Sequence, residues 1–189
     1  MKKTNKSRTN FTDKLLATPR ANSPALFGPG AASVSSAGNK LKIVKPGLVK
    51  LVRDKQVMVF GTFDVFHKGH ASFLKQAKKY GDYLIAVVAR DKTVAKIKKQ
   101  KPKNEEQKRK RILANSQLAD KIILGSLNDK YAVIKKYRPD IICLGYDQKA
   151  YVDKLKDKLQ EFNLKSTKII RLKSFHPEKY KSSKLSFRA

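Results

Sequence analysis

Residues 56–80, QVMVFGTFDVFHKGHASFLKQAKKY, decide the fold class of this 189-residue chain. The apolar run at 56–60 predicts a short buried strand, and apolar residues recur at helical spacing from Phe73 to Tyr80. Between these segments, GTFDVFHKGH (61–70) combines glycine with polar residues and predicts a loop that leads into the helix. Residues 56–80 are therefore typical of the first half of a βαβ unit.

The same alternation continues along the chain. Further strand candidates are the apolar runs at 83–89, 121–125, 140–145 and 167–172, and helix candidates lie at 104–118, 129–137 and 150–162. Asn104 is a candidate N-cap, because acidic residues follow it in the first turn of its helix. Strands that alternate with helices form right-handed crossovers and a parallel sheet covered on both faces. The sequence therefore predicts an α/β fold, a Rossmann-like doubly wound parallel sheet of about five strands, in a single domain with a disordered N-terminal arm.

The N-terminal region differs in composition from the rest of the chain. Residues 1–40 are rich in Lys, Asn, Ser, Ala, Pro and Gly and contain one acid, Asp13, which predicts a disordered basic arm. Residues 41–55 are a linker or accessory segment without a clear structural signal. Residues 56–189 are expected to form the globular domain.

The charge balance points to anionic partners. The chain carries 44 Lys and Arg against 15 Asp and Glu, a formal net charge of +29. Nucleotide phosphates, RNA and an acidic lipid surface are candidates, although a general lysine enrichment of the surface would give the same charge. The one cysteine, Cys143, excludes an internal disulfide and favours a reducing, cytoplasmic location. No apolar run is long enough to predict a membrane span.

The loop at 61–70 contains two of the three histidines of the chain, His67 and His70. A helix that begins near Gly69 would offer N–H groups and a partial positive charge to a phosphate, and the glycine would let that phosphate approach the backbone. The segment is not a P-loop, because it lacks a GK[ST] element. A metal site is a weak alternative, with Asp64 as the third nearby ligand, and two ordinary polar loop residues are another.

GTFDVFHKGH resembles the H-x-G-H signature of the nucleotidyltransferase superfamily that contains the cytidylyltransferases and small adenylyltransferases. The resemblance extends from about Val57 to Leu185. The family's second strand and the basic loop after it are similar to VVARDKTVAKIKKQKP. Its E-x-x-R element is similar to NEEQKRKRI, and its final serine motif is similar to YKSSKL. ICLGYDQKAYVDKLKDKL most resembles the archaeal-type FAD synthases.

The resemblance implies that residues 56–189 form a nucleotidyltransferase domain, which transfers NMP from a nucleoside triphosphate to a phosphorylated acceptor and releases pyrophosphate. An ionised phosphate is already a nucleophile, so the reaction needs alignment and charge stabilisation rather than a strong base. The resemblance assigns catalysis to His67, His70 and Lys98, with Lys96 or Lys99 as alternatives to Lys98. It assigns nucleotide binding to Gly61, Thr62, Phe63, Gly69, Arg109, Gly145, Asp147, Ser182 and Ser183.

Some of these assignments have alternatives. Arg109 lies among other basic residues, so it could equally belong to a solvated helix face. Mg²⁺ or another divalent cation would bridge phosphate oxygens, and Asp64 is either a weak candidate ligand for it or a structural residue. Tyr146 could stack on a base or cover the sheet, and Cys143 is expected in the core.

The main functional hypothesis is an FMN adenylyltransferase that makes FAD from ATP and FMN. The alternatives are a CTP-dependent cytidylyltransferase for a small phosphorylated alcohol or sugar, such as glycerol 3-phosphate, and a basic RNA-associated protein on the same fold. The expected partners are small-molecule substrates, with non-specific binding of nucleic acid to the basic surface and a homodimer as open alternatives.

Overall fold

The computed structural model of the protein describes residues 39–45, 48–149, 152, 154–176 and 178–180. These residues form a two-stranded sheet and a five-stranded sheet with helices. In chain order the elements are β1 (Asn39–Lys45), β2 (Leu48–Arg53), β3 (Gln56–Gly61), α1 (Lys68–Lys78), β4 (Tyr83–Val88), α2 (Asp91–Lys98), α3 (Glu106–Asn115), β5 (Lys121–Leu124), α4 (Ala132–Tyr137), β6 (Ile141–Leu144), α5 (Leu155–Glu161) and β7 (Lys168–Arg171). Within the described ranges no helix is both long and apolar enough to cross a membrane.

The five-stranded sheet has the order β5-β4-β3-β6-β7, and all neighbouring strands are parallel. From β3 the chain first adds β4 and β5 on one side, and then crosses over to add β6 and β7 on the other. The order therefore reverses between β3 and β6, whose carboxyl ends lie at Gly61 and Leu144. Sheets of this kind bind ligands in the crevice at that reversal. The predicted doubly wound fold with a parallel sheet of five strands is confirmed.

Helices cover both faces of this sheet. On one face, residues such as Leu74 of α1 and Leu113 of α3 pack against the strands. On the other face, residues such as Ile134 of α4 and Leu155 of α5 do the same. Strand β4 is buried at every position, which explains why its sequence YLIAVV is continuously apolar and does not alternate.

Two regions differ from the sequence predictions. Residues 39–53 contain the antiparallel pair β1 and β2, where the sequence gives no clear signal, and β1 begins inside the range predicted as the arm. Residues 1–38 lie outside the described residues. Helix α2 occupies the segment predicted as a basic loop. Val94 is the one buried residue of this helix, so its apolar periodicity is too weak to reveal it.

The N-cap residue of α3 also differs from the predicted one. The helix begins at Glu106, and its N-cap residue is Glu105, whose side chain makes no capping hydrogen bond. The side-chain amide of Asn104 donates instead to Asp64, at 2.9 Å, in the loop that follows β3. A tertiary contact thus overrides the local capping preference of asparagine.

Candidate active site

A cleft of ≈ 670 Å³ opens at the carboxyl edge of the parallel sheet, where the strand order reverses. It is lined by the loop between β3 and α1, by α2 and the residues after it, and by the segments that follow β5, β6 and β7. The basic residues in the lining are Arg90, Lys98, Lys101, Lys103, Lys130, Lys149 and Lys173, and the acidic ones are Asp64 and Asp147. This excess of positive charge suits a polyanionic ligand.

Most of the residues predicted from the sequence meet in this cleft. Its lining includes Gly61, Thr62, Phe63, Asp64, His67, Gly69, His70, Lys98, Gly145 and Asp147. The predicted residues Ser182 and Ser183 lie outside the described residues. Arg109 is described, but it is not in the lining.

The loop after β3 holds two non-glycine residues in the left-handed region, Phe63 (φ 52) and Val65 (φ 46). This conformation is costly for bulky and β-branched residues, and strain of this kind concentrates at functional sites. The buried Phe63 ring packs so closely on Gly61 that a Cβ at residue 61 would lie 2.8 Å from it. Gly61 is therefore required for this approach of the ring, in addition to the predicted turn.

Asp64 fastens this loop to the segment that precedes α3. Its carboxylate accepts hydrogen bonds from the Asn104 side-chain amide (2.9 Å) and from the backbone N–H groups of Val65 (3.0 Å), Lys103 (2.6 Å) and Asn104 (3.1 Å). Burial raises the pKa of Asp64, but the hydrogen bonds outweigh burial and hold the pKa below its usual value of 3.8. These contacts favour the structural alternative for Asp64 over a metal ligand.

His67 is the N-cap residue of α1. Its Nδ1 accepts a hydrogen bond from the Gly69 N–H at 3.1 Å, so the neutral ring carries its proton on Nε2 and is a donor there. A Cβ at residue 69 would lie 2.9 Å from the His67 ring and 2.9 Å from the carbonyl oxygen of Tyr180. Gly69 is therefore required to seat the His67 ring, and its own N–H is engaged within the protein.

His70 stacks on His67, with ring centroids 3.9 Å apart. The rings of Phe63 and Phe66 also pack on His70, at centroid distances of 5.4 Å and 5.7 Å. Burial, together with the positive charges of His67 and Lys98, lowers the pKa of His70 from 6.5 to about 3. Burial lowers the pKa of His67 as well. Both imidazoles are therefore neutral near pH 7 in the free protein.

Lys98 is the last residue of α2, and its exposed side chain lines the cleft. Lys99 takes the left-handed conformation (φ 54) that ends the helix. Lys96 and Lys99 are not in the lining, so the structure favours Lys98 among these candidates. The charge of Lys98 contributes to the lowered pKa of His70, which places the lysine and the imidazole pair in one electrostatic site.

The turn after β6, Gly145–Gln148, is held in place by its own side chains and by Arg171 of β7. The Gly145 N–H donates to Gln148 Oε1 at 3.2 Å, and Arg171 donates to the carbonyl oxygens of Gly145 (2.8 Å), Gln148 (3.1 Å) and Tyr146 (3.2 Å). The Gly145 backbone is thus engaged within the turn, whereas the exposed Asp147 faces the cleft. Sequence reasoning missed the role of Arg171, because the contact depends on the pairing of β6 with β7.

Arg109 lies behind the cleft. Its side chain has 0% exposure, which excludes the alternative of a solvated helix face. The guanidinium donates to backbone carbonyl oxygens and pairs with Asp91, at 2.6 Å. It has no surface through which it could contact a ligand in the cleft, so its predicted nucleotide contact has no geometric support.

The chain is similar to known proteins in sequence and in fold. Residues 58–186 match the cytidylyltransferase-like family. Similar proteins include the FAD synthase of Archaeoglobus profundus, which is 42% identical over 128 residues (68% of this chain and 81% of that one). They also include the FAD synthase of Ferroglobus placidus, 40% identical over 120 residues (64% and 77%). The crystal structure of the lipopolysaccharide core biosynthesis protein from Thermoplasma volcanium aligns with a TM-score of 0.60 at 37% identity, over 65% of this chain and 98% of that chain. The chain belongs to the cytidylyltransferase-like family.

Proposed function

We propose that the protein is a nucleotidyltransferase that transfers AMP from ATP to FMN, forming FAD and releasing pyrophosphate. The observation that carries this proposal is the basic cleft at the strand reversal, where His67, His70 and Lys98 meet at the N-terminus of α1. The similarity to FAD synthases from two archaea supports ATP and FMN as the substrates.

In the proposed reaction a phosphate oxygen of FMN attacks the α-phosphorus of ATP. A new P–O bond forms as the bond from this phosphorus to the oxygen that bridges to the β-phosphate breaks. The electron pair of the broken bond leaves with pyrophosphate. Because the attacking phosphate is ionised at neutral pH, no residue has to remove a proton from it, and alignment and charge stabilisation supply the catalysis.

The lowered pKa values of the two histidines fit this mechanism. A neutral imidazole donates a hydrogen bond through its N–H, and the His67 tautomer has that N–H on Nε2. We propose that His67 and His70 donate to triphosphate oxygens as negative charge develops on the leaving group. Lys98 and the N-terminus of α1 supply fixed positive charge, and Thr62 and the Phe63 backbone hold the phosphates in line. Asp147 contacts the ribose and base.

A divalent cation, expected to be Mg²⁺, has no cage among the described residues. No group of three or more His, Cys, Asp or Glu side chains in those ranges is arranged to hold a metal ion. The carboxylate of Asp64 is occupied by hydrogen bonds. Since Mg²⁺ often binds through substrate phosphates and water, we propose that the ion arrives with the triphosphate.

A crossed substrate assay tests the proposal. ATP and CTP are each combined with FMN, glycerol 3-phosphate and phosphoethanolamine, and pyrophosphate release is measured together with chromatography of the product. We expect turnover with ATP and FMN. Turnover confined to CTP with glycerol 3-phosphate or phosphoethanolamine would replace the proposal with the cytidylyltransferase alternative.

The same assay tests the histidines. His70→Ala should reduce kcat by about a hundredfold, because a donor that stabilises transition-state charge is lost. His176→Ala is the matched control, since His176 is exposed and is not in the lining of the cleft. Equal activity of the two variants would remove His70 from the mechanism.

The proposal also includes a cytoplasmic location, in keeping with the buried free thiol of Cys143, whose pKa burial raises to about 12. A homodimer and non-specific binding of nucleic acid stay predictions. Sedimentation tests the first, and the salt dependence of RNA binding tests the second.

A further inference from the structure

We infer that Arg109 is a positioning residue, which fixes the loop after β3 against α2, the helix that carries Lys98. The kinetic test of this inference rests on the proposed function, whereas its structural test does not. The inference assigns to Arg109 a role without nucleotide contact.

The guanidinium of Arg109 joins separate segments of the backbone. It donates to the carbonyl oxygen of Thr62 in the loop after β3, to that of Ala89 after β4 (2.7 Å) and to that of Asn104 ahead of α3 (2.9 Å). It also pairs with Asp91, the first residue of α2, at 2.6 Å. Because the side chain has 0% exposure, these bonds use the guanidinium entirely inside the protein.

Asp91 extends this connection to the first turns of both neighbouring helices. The Asp91 carboxylate accepts a hydrogen bond from the Glu106 N–H at 3.1 Å, and the Glu106 carboxylate accepts one from the Asp91 N–H at 2.9 Å. Glu106 also pairs with Arg90 at 2.9 Å. Helices α2 and α3 therefore cap each other, and Arg109 ties this pair to the loop that leads to the histidines.

The loop after β3 and helix α2 both depend on the contacts that Arg109 makes. Thr62 directly precedes Phe63, whose positive φ persists only where surrounding contacts enforce it. Helix α2 has one buried residue, Val94, so apolar packing alone holds the Lys98 end of the helix weakly. A lysine in place of Arg109 would keep the positive charge. It could not bridge several acceptors with fixed geometry as the planar guanidinium does.

The test compares Arg109→Lys with Arg111→Lys, the same change at an exposed position on the same helix. With ATP and FMN, Arg109→Lys should lower kcat by about a hundredfold and change the KM for ATP by less than about threefold, because the phosphates still bind but are misaligned. Arg111→Lys should alter neither kcat nor KM.

A raised KM for ATP with an unchanged kcat in Arg109→Lys would reveal direct nucleotide contact. A loss of activity that only follows the unfolded fraction in a thermal melt would reveal a purely structural role. Either result would overturn the inference.

A double-mutant cycle tests the connection to α2. In a Lys98→Ala background, Arg109→Lys should cost clearly less in kcat than in the wild type, because part of its effect passes through Lys98. Equal costs in the two backgrounds would overturn the connection.

If Arg109→Lys does not fold, Asp91→Asn weakens the same contact at a side chain that is 37% exposed. That variant should lower kcat by about tenfold at constant KM, and an unchanged kcat would count against the inference.

Amide hydrogen exchange of the full chain tests the structural part without substrates. Arg109→Lys should increase exchange at 62–66 and 91–98 more than at 141–148, the β6 strand and its turn. A uniform increase would overturn the inference. If the wild type turns over none of the substrate pairs, the proposed function fails, and the exchange pattern still decides the role of Arg109.

Discussion

The largely buried imidazole of His70 should make the stability of the protein sensitive to acid, and His70→Gln should remove this contribution. Burial and neighbouring positive charges lower the pKa of His70 from 6.5 to about 3 in the folded protein. Between these values the unfolded chain binds a proton at His70 that the folded protein does not bind. Its contribution to the free energy of unfolding is therefore present above pH 6.5 and is lost as the pH falls toward 3. The loss approaches about 1.4 kcal/mol per pH unit below pH 6.5 and amounts to about 2.3 kcal/mol from pH 6.5 to pH 4.5.

Urea unfolding followed by far-UV circular dichroism measures this free energy and suits a chain with no Trp. The stability advantage of the wild type over His70→Gln should shrink by about 2.3 kcal/mol across that interval. His176→Gln is the matched control, the same change at an exposed residue outside the cleft. A difference between wild type and His70→Gln that stays constant with pH would refute the neutral, buried state of His70 and the donor role proposed for it.

Three further predictions concern the same cleft. ATP binding above pH 7 should leave the paired imidazoles neutral and take up few protons, because their pKa values lie below the usual 6.5 in the free protein. Calorimetry in two buffers of different ionisation enthalpy measures the uptake, and uptake of one proton or more would contradict the neutral donors. Gly69→Ala should lower the melting temperature, because the added Cβ would lie 2.9 Å from the His67 ring and from the carbonyl oxygen of Tyr180. Gly125→Ala is the control and should melt like the wild type, because its Cβ would lie 3.6 Å from the nearest atom. Lys98→Met should lower kcat by about tenfold or more, and Lys99→Met, outside the lining, should retain it; equal losses would argue against a specific role for Lys98.

The fold could be predicted because its strands carry a strong local signal. The central strands β3, β4 and β6 are covered on both faces, so each appears in the sequence as a short continuous apolar run. Helix α2 lacks such a signal, because Val94 is its one buried residue. The pair β1 and β2 was likewise not predicted, since residues 41–55 combine apolar and basic positions without a clear period.

The sequence predicts where the site residues lie better than it predicts what each residue does. His67 and His70 line the cleft, as their place after the first strand of the parallel sheet predicts, and so does Lys98, which the resemblance to the nucleotidyltransferases singles out. The roles of Asp64 and Arg109 depend on distant partners. Asp64 binds a residue 40 positions away, and Arg109 reaches a carbonyl oxygen 47 positions away. No local pattern encodes such contacts, so a basic residue behind the cleft looks in sequence like one inside it.

The neutral state of the imidazole pair determines how the cleft can favour the transition state over bound ATP. Two imidazolium charges with ring centroids 3.9 Å apart would repel each other by about 4 kcal/mol at an effective dielectric of about 20, so the free protein does not hold both as cations. Lysines such as Lys98 therefore supply the constant positive charge that attracts the triphosphate. The imidazoles supply N–H donors whose hydrogen bonds strengthen as pyrophosphate gains charge and departs, and an interaction that grows in this way raises kcat. If His67 and His70 were permanent cations, they would stabilise ATP before the reaction as well as during it, and the gain in rate would be smaller.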